Sequence, residues 1–104
     1  MQRLVLALAI LGVVAAGCGA STTDEFGEEL FKISCAKCHG SGAQGGTIGP
    51  PIGTSDSRAA LDLTDEQIFG AIRVGPGAMP GNPSLTDAQI ISLVAYLRSL
   101  QGAE

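Results

Sequence analysis

The five residues Cys35-Ala36-Lys37-Cys38-His39 constrain this 104-residue chain more than any other stretch. Two thiols three positions apart, with an imidazole directly after the second, admit three chemistries: a zinc knuckle, a redox dithiol or an anchor for haem c. A structural zinc site takes four Cys or His ligands, usually as two pairs. Here His39 is the only histidine, and the one other cysteine, Cys18, lies in a leader-like segment far from the pair. A thioredoxin-like dithiol belongs beside a βαβ pattern, and the sequence has no strand run. What is left is C-x-x-C-H as a haem c attachment pattern. Each thiol adds to one vinyl group to form a thioether, and the histidine is placed beneath the iron. Cys35 and Cys38 are the expected thioether positions, and His39 is the expected proximal ligand of one covalent haem c.

A chain of this length makes one small domain, which buries little core of its own. A covalently held porphyrin would add a large apolar surface to fold around. Much of the 45% hydrophobic content sits in residues 4–16, and the chain has no Trp, one Tyr and three Phe. Fifteen glycines suit loops that run close to a flat group, as they would suit a merely flexible chain. The net charge is −4, and without the leader's Arg3 five basic residues face ten acidic ones. That argues against nucleic acid, whose phosphates would be repelled, and permits steering toward a protein with a basic docking face.

Met1-Gln2-Arg3 is a short basic n-region, and Leu4 to Ala16 is an apolar run of 13 residues, of h-region length and too short to span a bilayer comfortably. Ala15-Ala16-Gly17-Cys18 then resembles a bacterial lipobox, in which cleavage falls just before a cysteine that carries diacylglycerol. Ala15 stands where leucine is commonest, so an ordinary A-x-A-like cut after Ala16 or Ala20 is the rival. Both readings export the chain, in keeping with haem c attachment outside the cytoplasm. The expected division is a removed signal peptide over 1–17, a tether over 18–23 lipidated at Cys18, and a haem domain over 24–104. The lipid would hold that domain at the periplasmic or outer face of a bacterial membrane.

Helical patterning fills the rest. A first helix is expected from Thr22 or Thr23, with Thr22 and Glu25 in capping-box form and Phe26, Leu30 and Ile33 facing inward. Gly27, one turn before Phe31, could admit a close crossing, or be a tolerated helix glycine. Residues 40–53 include six glycines and Pro50-Pro51 and read as a loop. It is either a surface loop or a wrap in which a proline carbonyl accepts the His39 Nδ1–H. A second helix is capped at Thr64, with Leu63, Gln67 and Ile68 forming a box and staple, and ends at Gly75-Pro76. A third repeats the offsets at Leu85, Thr86, Gln89 and Ile90 and carries the core stripe Ile90, Leu93, Val94, Leu97 and Leu100. Tyr96 packs on the first helix or sits on the surface.

Between the last two helices lies Gly75-Pro76-Gly77-Ala78-Met79-Pro80-Gly81-Asn82-Pro83. A methionine here is a gap-filler or a soft ligand. If the iron takes a second His or Met, Met79 is the residue available, because Met1 leaves with the leader and His39 is already used.

Gly27 to Phe31, the Cys35 to Gly40 motif, Ile48-Gly49-Pro50, Ala78-Met79-Pro80 and the helix containing Tyr96 stand in the order of a class I cytochrome c domain. The chain resembles the small lipid-anchored bacterial cytochromes c over roughly residues 24–101. The resemblance implies an all-α fold, with three main helices and Gly/Pro-rich loops around one covalent haem and the first and last helices crossing. It also implies Pro50 as the carbonyl partner of His39 and Met79 as the distal iron ligand. The family's lysines around the haem edge are represented here only by Lys32 and Lys37.

Two filled axial positions leave no place for substrate, so the expected activity is one-electron transfer and not enzymatic turnover. Expected partners are redox proteins such as a terminal oxidase or other respiratory complex, met by a monomer. The alternative is a gas-binding or catalytic haem module whose sixth ligand is displaceable.

Overall fold

The computed structural model describes the backbone of residues 18–102 and side chains from residue 26 onward. The leader, the cleavage site, the side chain of Cys18 and the Thr22–Glu25 box lie outside the described residues. Within them are five helices and no strand: α1 Cys18–Ser34, α2 Ala36–His39, α3 Arg58–Asp62, α4 Asp65–Val74 and α5 Asp87–Gly102. Three long helices and the loops between them make the all-α architecture expected from sequence. No helix among the described residues is long and apolar enough to cross a membrane.

Helix α1 includes residues 18–23, which the sequence reading assigned to a tether. That segment contains no proline, and propagating a helix already nucleated over the following turns adds one bond per residue fixed. The buried face of α1 also differs from expectation. Phe31 is fully buried and Leu30 partly so, whereas Phe26 is 44% and Ile33 77% exposed. The cause is the crossing with α5. A Cβ on Gly27 would stand 2.2 Å from the carbonyl oxygen of Ser92, so the two backbones touch there. That contact fixes the rotation of α1, turning the Gly27–Phe31 row inward and Phe26 and Ile33 off it.

Against this row α5 presents Ile90, Leu93, Val94 and Leu97, all buried, with Leu100 packed at their edge. Tyr96 is buried on α1, its ring 5.7 Å from that of Phe31 at a tilt of 55°. Full burial of a side chain such as Phe31 is worth about 1.5–3 kcal/mol, and Phe31, Ile90 and Leu93 are the largest fully buried side chains.

Both later helices start as their sequences require. Gln67 N–H donates to Thr64 Oγ1 at 3.1 Å and Thr64 N–H to Gln67 Oε1 at 2.9 Å. Gln89 and Thr86 make the same pair at 3.1 and 2.8 Å. Helix α4 ends at Gly75, whose φ of 82° admits glycine readily. The two helices are tied at both ends: Arg73 in the last turn of α4 pairs with Asp87, and Arg98 in α5 with Asp65 at 2.7 Å. The short α3 was not expected. Its start is Ser57, whose Oγ accepts from Ala60 N–H at 3.2 Å; five residues carry too little periodicity to be read.

Candidate haem-binding site

The attachment motif is one helical turn standing on the end of α1. Cys35 N–H donates to Phe31 O at 2.8 Å, and His39 N–H to Cys35 O at 3.0 Å. Residues three and four apart on such a turn share a face, so Cys35, Cys38 and His39 project to one side. Gly40, at φ 88°, stops the turn. Cys38 and the buried His39 line a cavity of about 760 Å³, while half-buried Cys35 packs against the adjoining core. Burial first, and Cys38 second, push the Cys35 thiol up to about 11. A reactive dithiol would need the opposite shift. Among the described residues no group of three or more His, Cys, Asp or Glu could hold a metal ion.

The glycine-rich loop folds back beneath the motif and satisfies its free carbonyls. Gly49 N–H donates to Cys38 O at 2.8 Å and Gly45 N–H to His39 O at 2.7 Å. This brings the Pro50 carbonyl 2.8 Å from His39 Nδ1. A carbonyl cannot donate, so the shared proton is the imidazole's, and in the neutral ring this tautomer leaves the Nε2 lone pair free. Gly49 is the residue that permits the approach, since a Cβ there would lie 2.8 Å from His39 Nδ1 and 2.9 Å from Cys38 O.

Met79 lines the same cavity from the loop joining α4 to α5, together with Pro76, Ala78 and Pro80. Much of the remaining wall is apolar, from Ile52, Leu63, Ile68, Ile72 and Leu97. The structure therefore gathers Cys38, His39, Pro50 and Met79, four residues taken from three separate segments of sequence, around one space. A large apolar cavity offering one oriented imidazole and one thioether fits a haem and lacks the four ligands of structural zinc.

Two arginines define the surroundings. Arg58 is exposed at the cavity wall, and no ion pair among the described residues involves it. Arg98, on α5, is a hub. Its guanidinium donates to Ala59 O at 2.9 Å, Leu63 O at 2.7 Å, Gln101 Oε1 at 2.8 Å and Asp65. Gln101 in turn donates to Ile52 O at 2.8 Å. Apart from Gln101, the partners of Arg98 lie 33 to 39 residues away in sequence, and Gln101 reaches Ile52 across 49, so no local pattern announces them.

Comparison with known proteins agrees with this geometry. Residues 23–97 match the family described as cytochrome c oxidase, cbb3-type, subunit III. The chain is 34% identical over 76 residues to cytochrome c-L of Methylorubrum extorquens, covering 71% of this chain and 38% of that protein. It is 34% identical over 79 residues to lupanine 17-hydroxylase [cytochrome c] of a Pseudomonas species, covering 74% and 11% respectively. The chain thus spans well under half the length of these relatives. The fold is shared with cytochrome cL of Methylophaga aminisulfidivorans at TM-score 0.68 and 28% identity, over 80% of this chain and 56% of that one. It is shared with cytochrome c6 of the diatom Phaeodactylum tricornutum at TM-score 0.61 and 30% identity, over 77% and 95%.

The fold and the site define a class I cytochrome c domain. The chain belongs to the cytochrome c family of electron carriers, and its cofactor is covalently bound haem c, with Cys35 and Cys38 in the attachment pattern.

Proposed function

We propose that the protein is a membrane-tethered one-electron carrier whose haem iron is held between His39 and Met79. The observation that carries this reading is that both side chains line one cavity beside Cys38, with the His39 Nδ1–H already engaged by Pro50 O. Haem c, when attached, supplies a ferrous/ferric couple that changes by one electron with little rearrangement. The chain's residues do the rest. Cys35 and Cys38 hold the group covalently. The Pro50 carbonyl fixes the His39 tautomer and raises its basicity, presenting Nε2 to the iron. Met79 would supply a soft thioether as the second protein ligand, a pairing that would raise the reduction potential. Arg58, with no ion pair to give up, is the cation placed to meet propionates.

With His39 and Met79 both committed to the haem iron, no place for a substrate would remain there, so the protein would work by docking and not by turnover. Its partners are redox proteins, and the family's description favours a terminal oxidase among them. Docking is small in area and weak, since a carrier must leave. A lipid on Cys18, left once the export signal over 1–17 is removed, holds it, as a monomer, at the periplasmic or outer face of the membrane. Replacing Cys18 by Ala should release the protein from membranes, and a mature mass without diacylglycerol would refute the anchor.

The decisive test is the visible spectrum of protein matured in a host able to attach haem c. A low-spin ferric form with the weak far-red sulfur-to-iron charge-transfer band is expected. Met79→Ala should keep the covalent haem, lose that band and bind CO in the ferrous form. High-spin ferric wild type with ready CO binding would support the gas-binding or catalytic alternative instead.

A further inference from the structure

Hydrogen bonds hold the loop that carries Met79 at its two limbs, while its tip rests by packing on the first limb, where a Cβ on Gly75 would stand 2.3 Å from Met79 O and 2.7 Å from the Pro80 carbonyl carbon. At the base Gly75 N–H donates to Ala71 O at 2.8 Å and Asn82 N–H to Ile72 O at 3.0 Å, with the Asn82 amide reaching the same carbonyl at 3.3 Å. Met79 N–H donates to Pro76 O at 3.0 Å, a bond internal to the turn. Among the described residues no hydrogen bond joins Gly77, Ala78, Met79 or Pro80 to another element, and a Cβ on Gly77 would meet nothing within 4 Å. Beyond that packing on Gly75, where the thioether stands depends on how the limbs are fixed.

Arg73 fixes them. From the last turn of α4 its Nη1 donates to Leu85 O at 2.6 Å and more weakly to Pro83 O at 3.4 Å. Its Nη2 pairs with Asp87 in the first turn of α5, and the guanidinium carbon lies 5.7 Å from the centre of the Phe69 ring. One planar fork thus ties the incoming limb, the outgoing limb and the start of α5, which the point charge of a lysine cannot do at once.

We propose that Arg73 is a positioning residue for the sixth iron ligand: it clamps the base of the 75–86 loop and so sets how firmly Met79 stays on the iron. The inference rests on Met79 being that ligand. With the clamp in place the loop is pre-organised and an outside ligand must displace a held sulfur. Without it the sulfur-off arrangement is more populated, and the apparent affinity for an outside ligand rises by the same factor.

The test titrates the ferric holoprotein with imidazole. Arg73→Ala should keep its covalent haem, bind imidazole about tenfold more tightly than wild type, equivalent to about 1.4 kcal/mol, and show a weakened far-red band. Arg98→Ala removes an equally connected arginine from the far end of α5. It should lower the melting temperature yet leave imidazole affinity at the wild-type value, which separates ligand positioning from general support. Wild-type affinity in Arg73→Ala, or an equal rise in Arg98→Ala, overturns the clamp. Equal affinity in wild type and Met79→Ala overturns the ligand assignment beneath it, a different and recognisable failure. Where Arg73→Ala does not accumulate as holoprotein, Arg73→Lys takes its place. It keeps a cation for Asp87 while losing the fork, so a severalfold rise is expected and no rise refutes the proposal.

Discussion

Gly27→Ala sets two effects of opposite sign against each other. In a helix interior the change ordinarily stabilises by about 1 kcal/mol. In this chain the new carbon would lie 2.2 Å from Ser92 O, 2.8 Å from the Ser92 carbonyl carbon and 2.9 Å from Tyr96 Cβ. Ordinary Cα–H···O contacts begin at about 3.3 Å between carbon and oxygen. The two Ser92 atoms are backbone and cannot rotate away, so α1 and α5 must separate by about 1 Å, which forfeits a quarter to a half of the contact attraction along the seam. Overpacking costs about 1–3 kcal/mol. Because the displaced seam includes Phe31 against Tyr96 and buried Leu93, the upper end applies, and the net loss is about 2 kcal/mol. For a domain of this size the melting temperature should fall by about 8–16 °C. The assay is thermal unfolding of the holoprotein followed by helical circular dichroism, with Gly70→Ala as comparator. Gly70 is interior to α4 and a Cβ there meets nothing within 4 Å, so propensity alone should raise its melting temperature by about 4–8 °C. If Gly27→Ala melts at or above wild type, the backbone contact is not what the glycine serves.

Four further variants follow from named contacts. Gly49→Ala drives a methyl group against His39 Nδ1 and Cys38 O, so it should break the Pro50 bond, reduce holoprotein yield and raise the reduction potential. The rise should be on the order of 60 mV, a tenfold change in ferric/ferrous preference. Pro50→Ala keeps the accepting carbonyl and should shift the potential far less, and equal shifts in the two variants would show that the bond is not the cause. Thr64→Ala removes the Oγ1 that accepts Gln67 N–H and should destabilise by about 1 kcal/mol in denaturant titration, as should Thr86→Ala.

What could be read from the sequence shares a physical property: its determinants are local. The attachment turn needs only residues 35–39, and the Thr64–Gln67 and Thr86–Gln89 boxes close over three residues, so spacing carries them. Pro50 was legible only through resemblance, because its meeting with His39 depends on a loop folding back over 11 residues. The inward face of α1 was misread because Phe26 and Ile33 fit helical spacing as well as Phe31 does, and the choice between the phases belongs to Ser92 on another helix. The role of Arg98 was not legible for the same reason, because its bonds to Asp65, Leu63 O and Ala59 O span 33 to 39 residues. The division has a consequence for function. The residues proposed for the iron are specified by short motifs, while the constraints on their surroundings come from longer-range contacts such as those of Gly27 and Arg73. On the proposed ligation, haem attachment and ligand geometry are therefore separable: a variant can keep Cys35-Ala36-Lys37-Cys38-His39 intact and still loosen the loop that carries Met79.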